Sequence, residues 1–538
     1  MDKLIFPTIT FLCLLIFLAP TKVANAATSP SSICSQTPYP ELCHSLTITP
    51  KSTLTTLDDE TSSSFDIRDA SLKFTLAQAQ YVHNLISTID TTSFDKLSKA
   101  AWADCLELYE DTITNLARCS SSKNNLNDVQ TWLSASNANH ETCKNGFIDF
   151  QLNSQLQSFP FFNTNFSKHL SNSLAINKAS LTSSLSASQV SSNDQIKNRK
   201  LLSLDSGDGF PAWVTTGDRK LLQSSGGPKA DITVSQDGSG DYKTISEALA
   251  ASSKMRSSSS RVVIYVKGGT YKENVVVTNS MSNIMMVGDG MGSTVVTGSK
   301  NVQDGATTFS SATFAVMGDR FIAQDMTFEN TAGPAKHQAV ALRSGSDFSV
   351  FYRCGFKGYQ DTLYAYSKRQ FYRDCDISGT IDFIFGDAVV VFQGCNINLR
   401  QPMSNQINTV TAQGRSDPNE NTGIIIHNSQ ISGSGVSVKS YLGRPWQKCS
   451  RTVIMRSGIS GAIDAAGWFP WSGSFALSTL YYAEYANTGA GAGTGGRVKW
   501  GGYHVLTSPA DALKFSVGNF LAGNSWIPST GVPFTAGL

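Results

Sequence analysis

The sequence predicts a parallel β-helix in its C-terminal part, preceded by a small all-α bundle. The first observation is a repeated pattern of aromatic, polar and cysteine residues around Cys354, Cys375 and Cys395, which are 21 and 20 residues apart. A period near 20 residues, with short apolar runs between polar turns, is typical of a β-solenoid whose coils stack about 4.8 Å apart. The second observation is that residues 66–89 and 101–116 carry apolar residues at helical spacing and contain neither Gly nor Pro. A β-sandwich is the main fold alternative for the C-terminal part, but it would not be expected to keep this period.

Length and composition indicate a folded protein of more than one domain. The chain has 538 residues, of which 40% are hydrophobic and 16% charged, which excludes a globally disordered protein. The net charge is +2, and residues 223–538 hold 26 Lys and Arg against 21 Asp and Glu. This small excess suits an acidic polymer, although ordinary surface scatter explains it equally well, and it gives no ground for a nucleic-acid partner.

The N-terminus has the features of a secretory signal. Lys3 precedes an apolar run over residues 4–19, and the small residues Ala24 and Ala26 follow. This pattern predicts cleavage near Ala26 and an extracellular protein, with an uncleaved anchor as the alternative. No later apolar run reaches about 18 residues, so the mature protein is expected to be free of the membrane. Because Cys13 leaves with the signal, nine cysteines remain, and at least one cannot pair within the chain.

The helical region carries two pairs of cysteines that could form cross-links. Cys34 and Cys43 flank a turn with two prolines, whereas Cys105 and Cys143 lie on separate predicted helices. Cys119 is then expected to be the odd thiol. Asn165, in the sequence Asn-Phe-Ser, is a candidate glycosylation site.

Three motifs in this region resemble the invertase and pectin methylesterase inhibitor family. They are Cys34-Ser-Gln-Thr-Pro-Tyr-Pro-Glu-Leu-Cys43, Asp104-Cys105-Leu-Glu-Leu-Tyr109 and Thr142-Cys143-Lys-Asn-Gly146-Phe147. The resemblance covers roughly residues 30–180. It implies a four-helix bundle with an N-terminal hairpin and the disulfides Cys34–Cys43 and Cys105–Cys143.

A Ser-rich stretch over residues 181–222 is expected to link the two parts. It contains the near-copies Arg199-Lys200-Leu-Leu and Arg219-Lys220-Leu-Leu. Basic pairs in an exposed linker are accessible to proteases, so we predict processing that leaves a mature chain beginning near Gln223. The alternative is that both pairs are ordinary solvated charge. The predicted domains are therefore a signal at 1–26, a bundle at 27–180, this linker, and a β-helix at 223–538.

The repeat also brings together residues able to carry out acid–base and nucleophilic chemistry. Asp361 and Asp382 are 21 residues apart, and Gln338 and Gln360 are 22 apart, so each step is about one coil. Two neighbouring carboxyl groups do not ionise together, so one can serve as an acid while the other stays charged. Amide groups can donate hydrogen bonds to an oxyanion. The alternative is that these side chains only satisfy turn backbone, as single polar residues in solenoids usually do.

Five motifs in order resemble the pectin methylesterase family from about residue 231 to the C-terminus. They are Gly269-Thr-Tyr-Lys-Glu273, Gln338-Ala-Val-Ala-Leu342, Tyr359-Gln-Asp-Thr-Leu363, Asp382-Phe-Ile-Phe-Gly386 and Leu442-Gly-Arg-Pro-Trp446. The resemblance implies a right-handed parallel β-helix that hydrolyses the methyl esters of homogalacturonan.

The same resemblance implies the role of each site residue. Asp382 is the nucleophile, and Asp361 is the acid and then the base. Gln338 and Gln360 hold the oxyanion, and Arg444 orients Asp382. Trp446 offers a flat face to a sugar ring. Substrate binding is expected to involve Gln338, Arg444, Trp446, Phe383, Tyr364, Trp468 and Trp471.

No metal or cofactor is expected, because the seven His form no metal-spaced cluster. The expected partners are pectin in the cell wall, a proteinaceous pectin methylesterase inhibitor and a subtilisin-like processing protease, with a monomeric enzyme. A polygalacturonase or pectate lyase on the same fold is the rival enzyme class. A rival without catalysis is a helical inhibitor or binding module. Without a G-x-S-x-G motif, a serine esterase is not predicted.

Overall fold

The structure is a computed structural model that describes residues 30–48, 66–120, 125–152, 164–190, 230–255 and 261–538. The predicted signal segment and both dibasic pairs lie outside these residues. The last helix of the bundle ends at Val190, within the range predicted as linker. Among the described residues, no helix combines the length and the apolar character needed to cross a bilayer.

Helices form the N-terminal part and the edges of the C-terminal part. They are α1 (Pro30–Cys34), α2 (Pro40–Ile48), α3 (Ile67–Ser87), α4 (Lys96–Cys119), α5 (Leu126–Asp149), α6 (Phe166–Val190), α7 (Ile245–Ser252), α8 (Pro509–Leu513) and α9 (Val517–Phe520). The N-termini of α3, α4 and α5 are capped by the side chains of Asp66, Asp95 and Asn125, which accept backbone N–H groups of the first turn.

The four long helices α3 to α6 pack into one bundle, in which each contacts two of the others. Its core includes Leu72, Leu108, Tyr109 and Leu133. Disulfides link Cys34 to Cys43 and Cys105 to Cys143, the pairs that the family resemblance implies. The second disulfide joins α4 to α5, and both of these helices contact the β-structure.

The C-terminal part consists of short strands. They are β1 (Ile232–Val234), β2 (Val262–Val266), β3 (Gly269–Lys272), β4 (Val275–Val277), β5 (Ile284–Gly288), β6 (Thr294–Gly298), β7 (Phe314–Val316), β8 (Ile322–Gln324), β9 (Thr327–Asn330), β10 (Leu342–Ser344), β11 (Ser349–Tyr352), β12 (Gly355–Lys357), β13 (Leu363–Ala365), β14 (Arg369–Arg373), β15 (Asp376–Gly379), β16 (Ile384–Gly386), β17 (Val389–Gln393), β18 (Asn396–Leu399), β19 (Asn408–Gln413), β20 (Gly423–His427), β21 (Gln430–Ser432), β22 (Ser440–Gly443), β23 (Arg451–Met455), β24 (Gly458–Ile459), β25 (Tyr481–Tyr485) and β26 (Tyr503–Val505).

These strands form three sheets, and all the strand pairs between described residues are parallel. The chain visits an eleven-stranded, an eight-stranded and a seven-stranded sheet in turn, once per coil. This is a right-handed parallel β-helix, as predicted from the repeat. The strand register determines which side chains become neighbours, because equivalent residues of successive coils lie in adjacent strands.

The interior of the β-helix contains ladders of like residues. Phe351, Tyr372 and Phe392 stack with ring centroids 4.7 and 4.6 Å apart. Cys354 and Cys375 are buried at equivalent positions, and Cys395 continues their ladder. In the described residues the three are free thiols, as is Cys449, and Cys119 is unpaired as expected.

Candidate active site

The two predicted catalytic carboxylates lie at equivalent positions of successive coils. Asp361 precedes β13 and Asp382 precedes β16, and these strands pair in register. Both residues have left-handed backbone conformations, with φ of 61° and 51°. Such conformations are uncommon for residues other than glycine and tend to occur at functional sites. The backbone thus holds both side chains at the same edge of the seven-stranded sheet.

Asp382 is held by a guanidinium and a hydroxyl group. Arg444 Nε lies 2.9 and 3.0 Å from the two carboxylate oxygens of Asp382, and Arg444 Nη2 donates to Oδ2 at 2.6 Å. Thr409 Oγ1 donates to Asp382 Oδ1 at 2.6 Å and accepts the backbone N–H of Asp382 at 2.9 Å. This fork-like pairing fixes the orientation of the carboxylate. Sequence reasoning missed Thr409, because its contact with Asp382 spans 27 residues and a further coil.

Asp361 has a different electrostatic environment. Burial raises the pKa of its carboxyl group well above the usual value, and the charges of Asp382 and Asp149 raise it further. Arg444 opposes this effect but pairs with Asp382 instead. The two carboxyl groups therefore differ in their surroundings, since Asp382 is paired with Arg444 whereas burial and neighbouring charges raise the pKa of Asp361.

The predicted catalytic residues line a single pocket of about 170 Å³. The lining residues from the β-helix include Gln338, Gln360, Asp361, Asp382, Arg444, Tyr364, Phe385, Trp446 and Trp471. Two carboxyl groups, two amides and a guanidinium thus converge on one small space. Within the described ranges, no three His, Cys, Asp or Glu side chains are grouped to hold a metal ion.

Aromatic rings form the wall of the pocket. Tyr364 and Phe385 stack with centroids 4.1 Å apart, and Trp446 meets both edge-on at 6.3 and 5.9 Å. The ring of Trp471 lies 4.4 Å from the guanidinium of Arg444. Gly386 follows Phe385 with φ of 125°, and a Cβ there would lie 2.0 Å from the carbonyl oxygen of Ala365. This explains why the Asp382 motif ends in glycine.

Two of the predicted substrate-binding rings lie elsewhere. Phe383 is fully buried in the interior of the β-helix. Trp468 is 1% exposed and packs on Tyr482 in the same core, with centroids 4.3 Å apart. Neither ring can offer a face to a saccharide, and Phe385 takes the place assigned to Phe383. The sequence did contain a signal for Phe385, because Tyr364 follows Asp361 by three residues and Phe385 follows Asp382 by the same distance.

The helical bundle lies directly over this pocket. Asp104, Thr142, Asn145, Gly146 and Asp149 from α4 and α5 complete its lining. Asp149 accepts a hydrogen bond from Thr308 at 3.2 Å, and Asp104 accepts one from Thr307. The hydroxyl groups of Thr142 and Tyr364 are 3.4 Å apart. The catalytic groups are thus enclosed between the two parts of the chain.

Beyond the pocket, the bundle is held by buried polar contacts. Lys368 and Asp111 form a fully buried ion pair at 3.2 Å, and Tyr366 donates to Asn139 at 2.6 Å. Residues 416–421 of the β-helix also bind α5 and α6 through side chains and carbonyl groups. Asn165, the candidate glycosylation site, is exposed at the start of α6, away from these contacts.

Comparison with known proteins identifies both parts. The pectinesterase family model matches residues 231–524, and the plant invertase/pectin methylesterase inhibitor model matches residues 28–176. The chain belongs to the pectinesterase family. Its members are carboxylic ester hydrolases, and this chain combines the enzyme part with an inhibitor-like domain.

Similar proteins cover nearly the whole chain. "Probable pectinesterase/pectinesterase inhibitor 6" of Arabidopsis thaliana is 51% identical over 525 residues, which is 94% of this chain and 93% of that protein. "Pectinesterase 2" of Citrus sinensis is 50% identical and covers 98% of this chain and 99% of its own length. A solved pectin methylesterase from carrot is 56% identical, with a TM-score of 0.57, and covers 59% of this chain and 99% of its own. The solved carrot chain therefore corresponds to little more than half of this chain and has a folded structure of its own.

Proposed function

We propose that the chain hydrolyses the methyl esters of homogalacturonan, with Asp382 as the nucleophile. The observation that carries this proposal is the contrast between Asp382, paired with Arg444, and Asp361, whose pKa is raised by burial and by neighbouring carboxylates. An ionised nucleophile beside a protonated acid is what ester cleavage with a poor leaving group requires.

The reaction follows from these positions. Asp382 attacks the C6 carbonyl carbon of a methylated galacturonate, and the amides of Gln338 and Gln360 donate hydrogen bonds to the oxyanion. As the tetrahedral intermediate collapses, Asp361 gives its proton to the departing methanol. Asp361 then accepts a proton from water, which attacks the acyl-enzyme and releases the galacturonate and free Asp382. Trp446 and Tyr364 support the sugar ring, and Phe385 extends the wall beside them.

A direct experiment is methanol release from highly methylated pectin by the fragment 223–538, with polymer length followed in the same sample. Methanol with unchanged length supports the esterase. Shortening, or the appearance of unsaturated ends, would instead move the assignment to a hydrolase or lyase on the same fold. Asp382→Asn should lower kcat by about a thousandfold or more, with the thermal unfolding of the fragment as the control for folding. Retained activity would contradict the nucleophile assignment.

We further infer that the helical domain masks the site until it is removed. The support is that α4 and α5 contribute five residues to the lining of the catalytic pocket. The full chain is expected to release methanol at least tenfold more slowly than the fragment 223–538. Equal rates would contradict masking and leave a folding role for the bundle.

We also propose that the protein is secreted to the cell wall, that it is cleaved near Gln223, and that the mature enzyme is a monomer. N-terminal sequencing of the secreted protein tests the cleavage, because a chain that begins near Ala27 would show that the bundle is retained. A free inhibitor protein is expected to compete for the surface that the bundle covers.

A further inference from the structure

The strongest unassigned feature is the environment of Arg343. This residue lies on β10, directly in register with Tyr364 on β13, so it continues the outward-facing row of the pocket wall by one coil. Its side chain is 4% exposed, and its guanidinium lies 3.4 Å from the centroid of the Phe309 ring. Arg343 is therefore a buried cation on the surface that the helical domain covers.

The donors of Arg343 are poorly matched in the full chain. Nη1 donates to the sulfur of Met317 at 3.3 Å, and Nη2 is 3.8 Å from Glu107 Oε1, which is beyond hydrogen-bonding distance. Nε has no hydrogen-bond partner among the described residues. A buried guanidinium normally binds oxygen acceptors, because it loses its hydration when it is buried. The contacts in the full chain thus leave part of the hydrogen-bonding capacity of the Arg343 guanidinium unused.

The bundle places acidic groups at this position. Asp104 and Glu107 are three residues apart on α4, so both lie on the face directed at the β-helix. Asp104 accepts a hydrogen bond from Thr307, and Glu107 is the carboxylate nearest to Arg343. The helical domain thus presents carboxylates where the β-helix presents a cation and a hydroxyl group.

The distance from the reacting groups suits a neighbouring sugar unit. Tyr364 follows Asp361 by three residues and packs against Phe385 in the pocket. Arg343 lies one strand farther, about 4.8 Å along the β-helix. A polymer that crosses the pocket can therefore reach Arg343 with a unit other than the one whose ester is cleaved.

We propose that Arg343 binds the free carboxylate of a uronic acid unit near the ester under attack, and that Asp104 and Glu107 lie over this subsite in the full chain. The proposal rests on the proposed esterase function. A guanidinium binds a carboxylate with two parallel hydrogen bonds, whereas a methyl ester lacks the charge. Each hydrolysed unit would then favour binding beside it, so free carboxylates would accumulate in runs.

The test compares two substrates on the fragment 223–538. One is a fully methylated galacturonate hexamer, and the other is a hexamer with a single methyl ester among free carboxylates. Arg343→Gln should lower kcat/KM for the second substrate about tenfold, chiefly through KM, with little change for the first. Arg343→Lys should retain part of the preference because it keeps the charge. Arg353→Gln, which removes an exposed ion pair with Asp325, is the matched control and should change neither.

A binding measurement separates this proposal from the function on which it rests. Calorimetry with a fully de-esterified hexamer requires no turnover, and Arg343→Gln should weaken its binding to the fragment about tenfold. If this weakening appears but no methanol is released from either methylated substrate, the esterase proposal fails and the subsite stands. Unchanged binding, or an equal loss of kcat/KM on both substrates, would overturn the subsite, because a structural role does not distinguish an ester from a carboxylate.

Discussion

At the residue scale, the orientation of Asp382 depends on a neighbour that takes no part in bond making. Thr409 both accepts the backbone N–H of Asp382 and donates to its carboxylate. Two hydrogen bonds made by one hydroxyl group tie the side chain of Asp382, the proposed nucleophile, to its own backbone. Arg444 fixes the same carboxylate from the other side.

We predict that Thr409→Val lowers kcat about tenfold while KM changes little, because the nucleophile loses part of its orientation but no sugar contact. The measurement is methanol release by the fragment 223–538. Thr409→Ser keeps the hydroxyl group and should restore most of the rate. If Ser and Val variants lose activity equally, the methyl group of Thr409 matters through packing and the positioning role is wrong.

The residue scale also shows where the sequence was sufficient and where it was not. Coil spacing brought Asp361 and Asp382 together, because a solenoid repeats its backbone in each turn. It did not decide which aromatic residue faces outward. Phe383 and Phe385 are separated by one residue and would share a face in a regular strand. Phe383 lies just before β16 and so falls outside the regular alternation; it faces the core together with Ile384, whereas Phe385 faces the pocket.

At the element scale, α5 is unusual because it is polar yet buried. Ser134, Ser136, Asn137 and Asn139 are all buried on it, and Asn139 meets Tyr366 of the β-helix. A helix with such a surface gains little from apolar burial, so its place is set by many specific hydrogen bonds. The helical periodicity of the sequence predicted bundle helices, but not the polar face that adapts α5 to a polysaccharide cleft.

The ion pair between Lys368 and Asp111 is the most deeply buried link from α4 to the β-helix. Although burial opposes it, the charge of Lys368 lowers the pKa of Asp111, with help from the amides of Asn139 and Asn115. Both side chains are almost completely inaccessible to water. Removing one partner would leave a buried charge, which costs about 3–5 kcal/mol.

We therefore predict that Lys368→Met destabilises the docked bundle, so that the full chain gains esterase activity and its thermal unfolding shifts to lower temperature. The matched control is the same substitution in the fragment 223–538, which lacks Asp111 and should change little. Asp111→Asn together with Lys368→Met should recover most of the docking, because no unpaired charge remains. If Lys368→Met alone leaves both the esterase activity and the thermal unfolding of the full chain unchanged, this pair has no role in docking.

At the scale of the whole molecule, the sequence predicted both folds but not their arrangement. The repeat predicts structure only within the β-helix, and the helical periodicity predicts it only within the bundle. The contacts that join the two parts link residues far apart in the chain. The contact from Asp104 to Thr307 spans 203 residues, and neither residue belongs to a periodic pattern. Masking could be suggested from the family resemblance, but the residues proposed to bring it about are identified only by the structure.

The enclosed pocket makes the arrangement of the two domains sensitive to pH. Burial raises the pKa of Asp104 to about 7, with the charge of Glu107 adding to it and with Thr307 and Arg343 opposing it. Burial likewise raises the pKa of Asp149 to about 6, against a hydrogen bond from Thr308. The pKa of Asp361 is also raised, by burial first and then by the charges of Asp382 and Asp149. If the domains separate, Asp104 and Asp149 regain water and their pKa values fall towards the ordinary range.

The docked state therefore holds more protons than the separated state between about pH 4 and pH 7. Docking is favoured at the acidic end and weakens as the pH rises through this window. Asp111 is ionised throughout it, since its pKa is lowered, so the Lys368 pair adds no pH dependence there. His140 lies against Tyr109 and Phe166, both of which belong to the bundle.

We predict that the methanol-release rate of the full chain, divided by that of the fragment 223–538 at the same pH, rises at least tenfold from pH 5 to pH 8. Dividing by the fragment removes the pH dependence of the chemistry itself, which both forms share. Asp104→Asn with Asp149→Asn replaces the titrating groups by neutral amides of similar shape and should flatten the ratio. A ratio that stays constant or falls with pH in the unmodified chain would show that these carboxyl groups do not control docking, because their raised pKa values require the opposite sign.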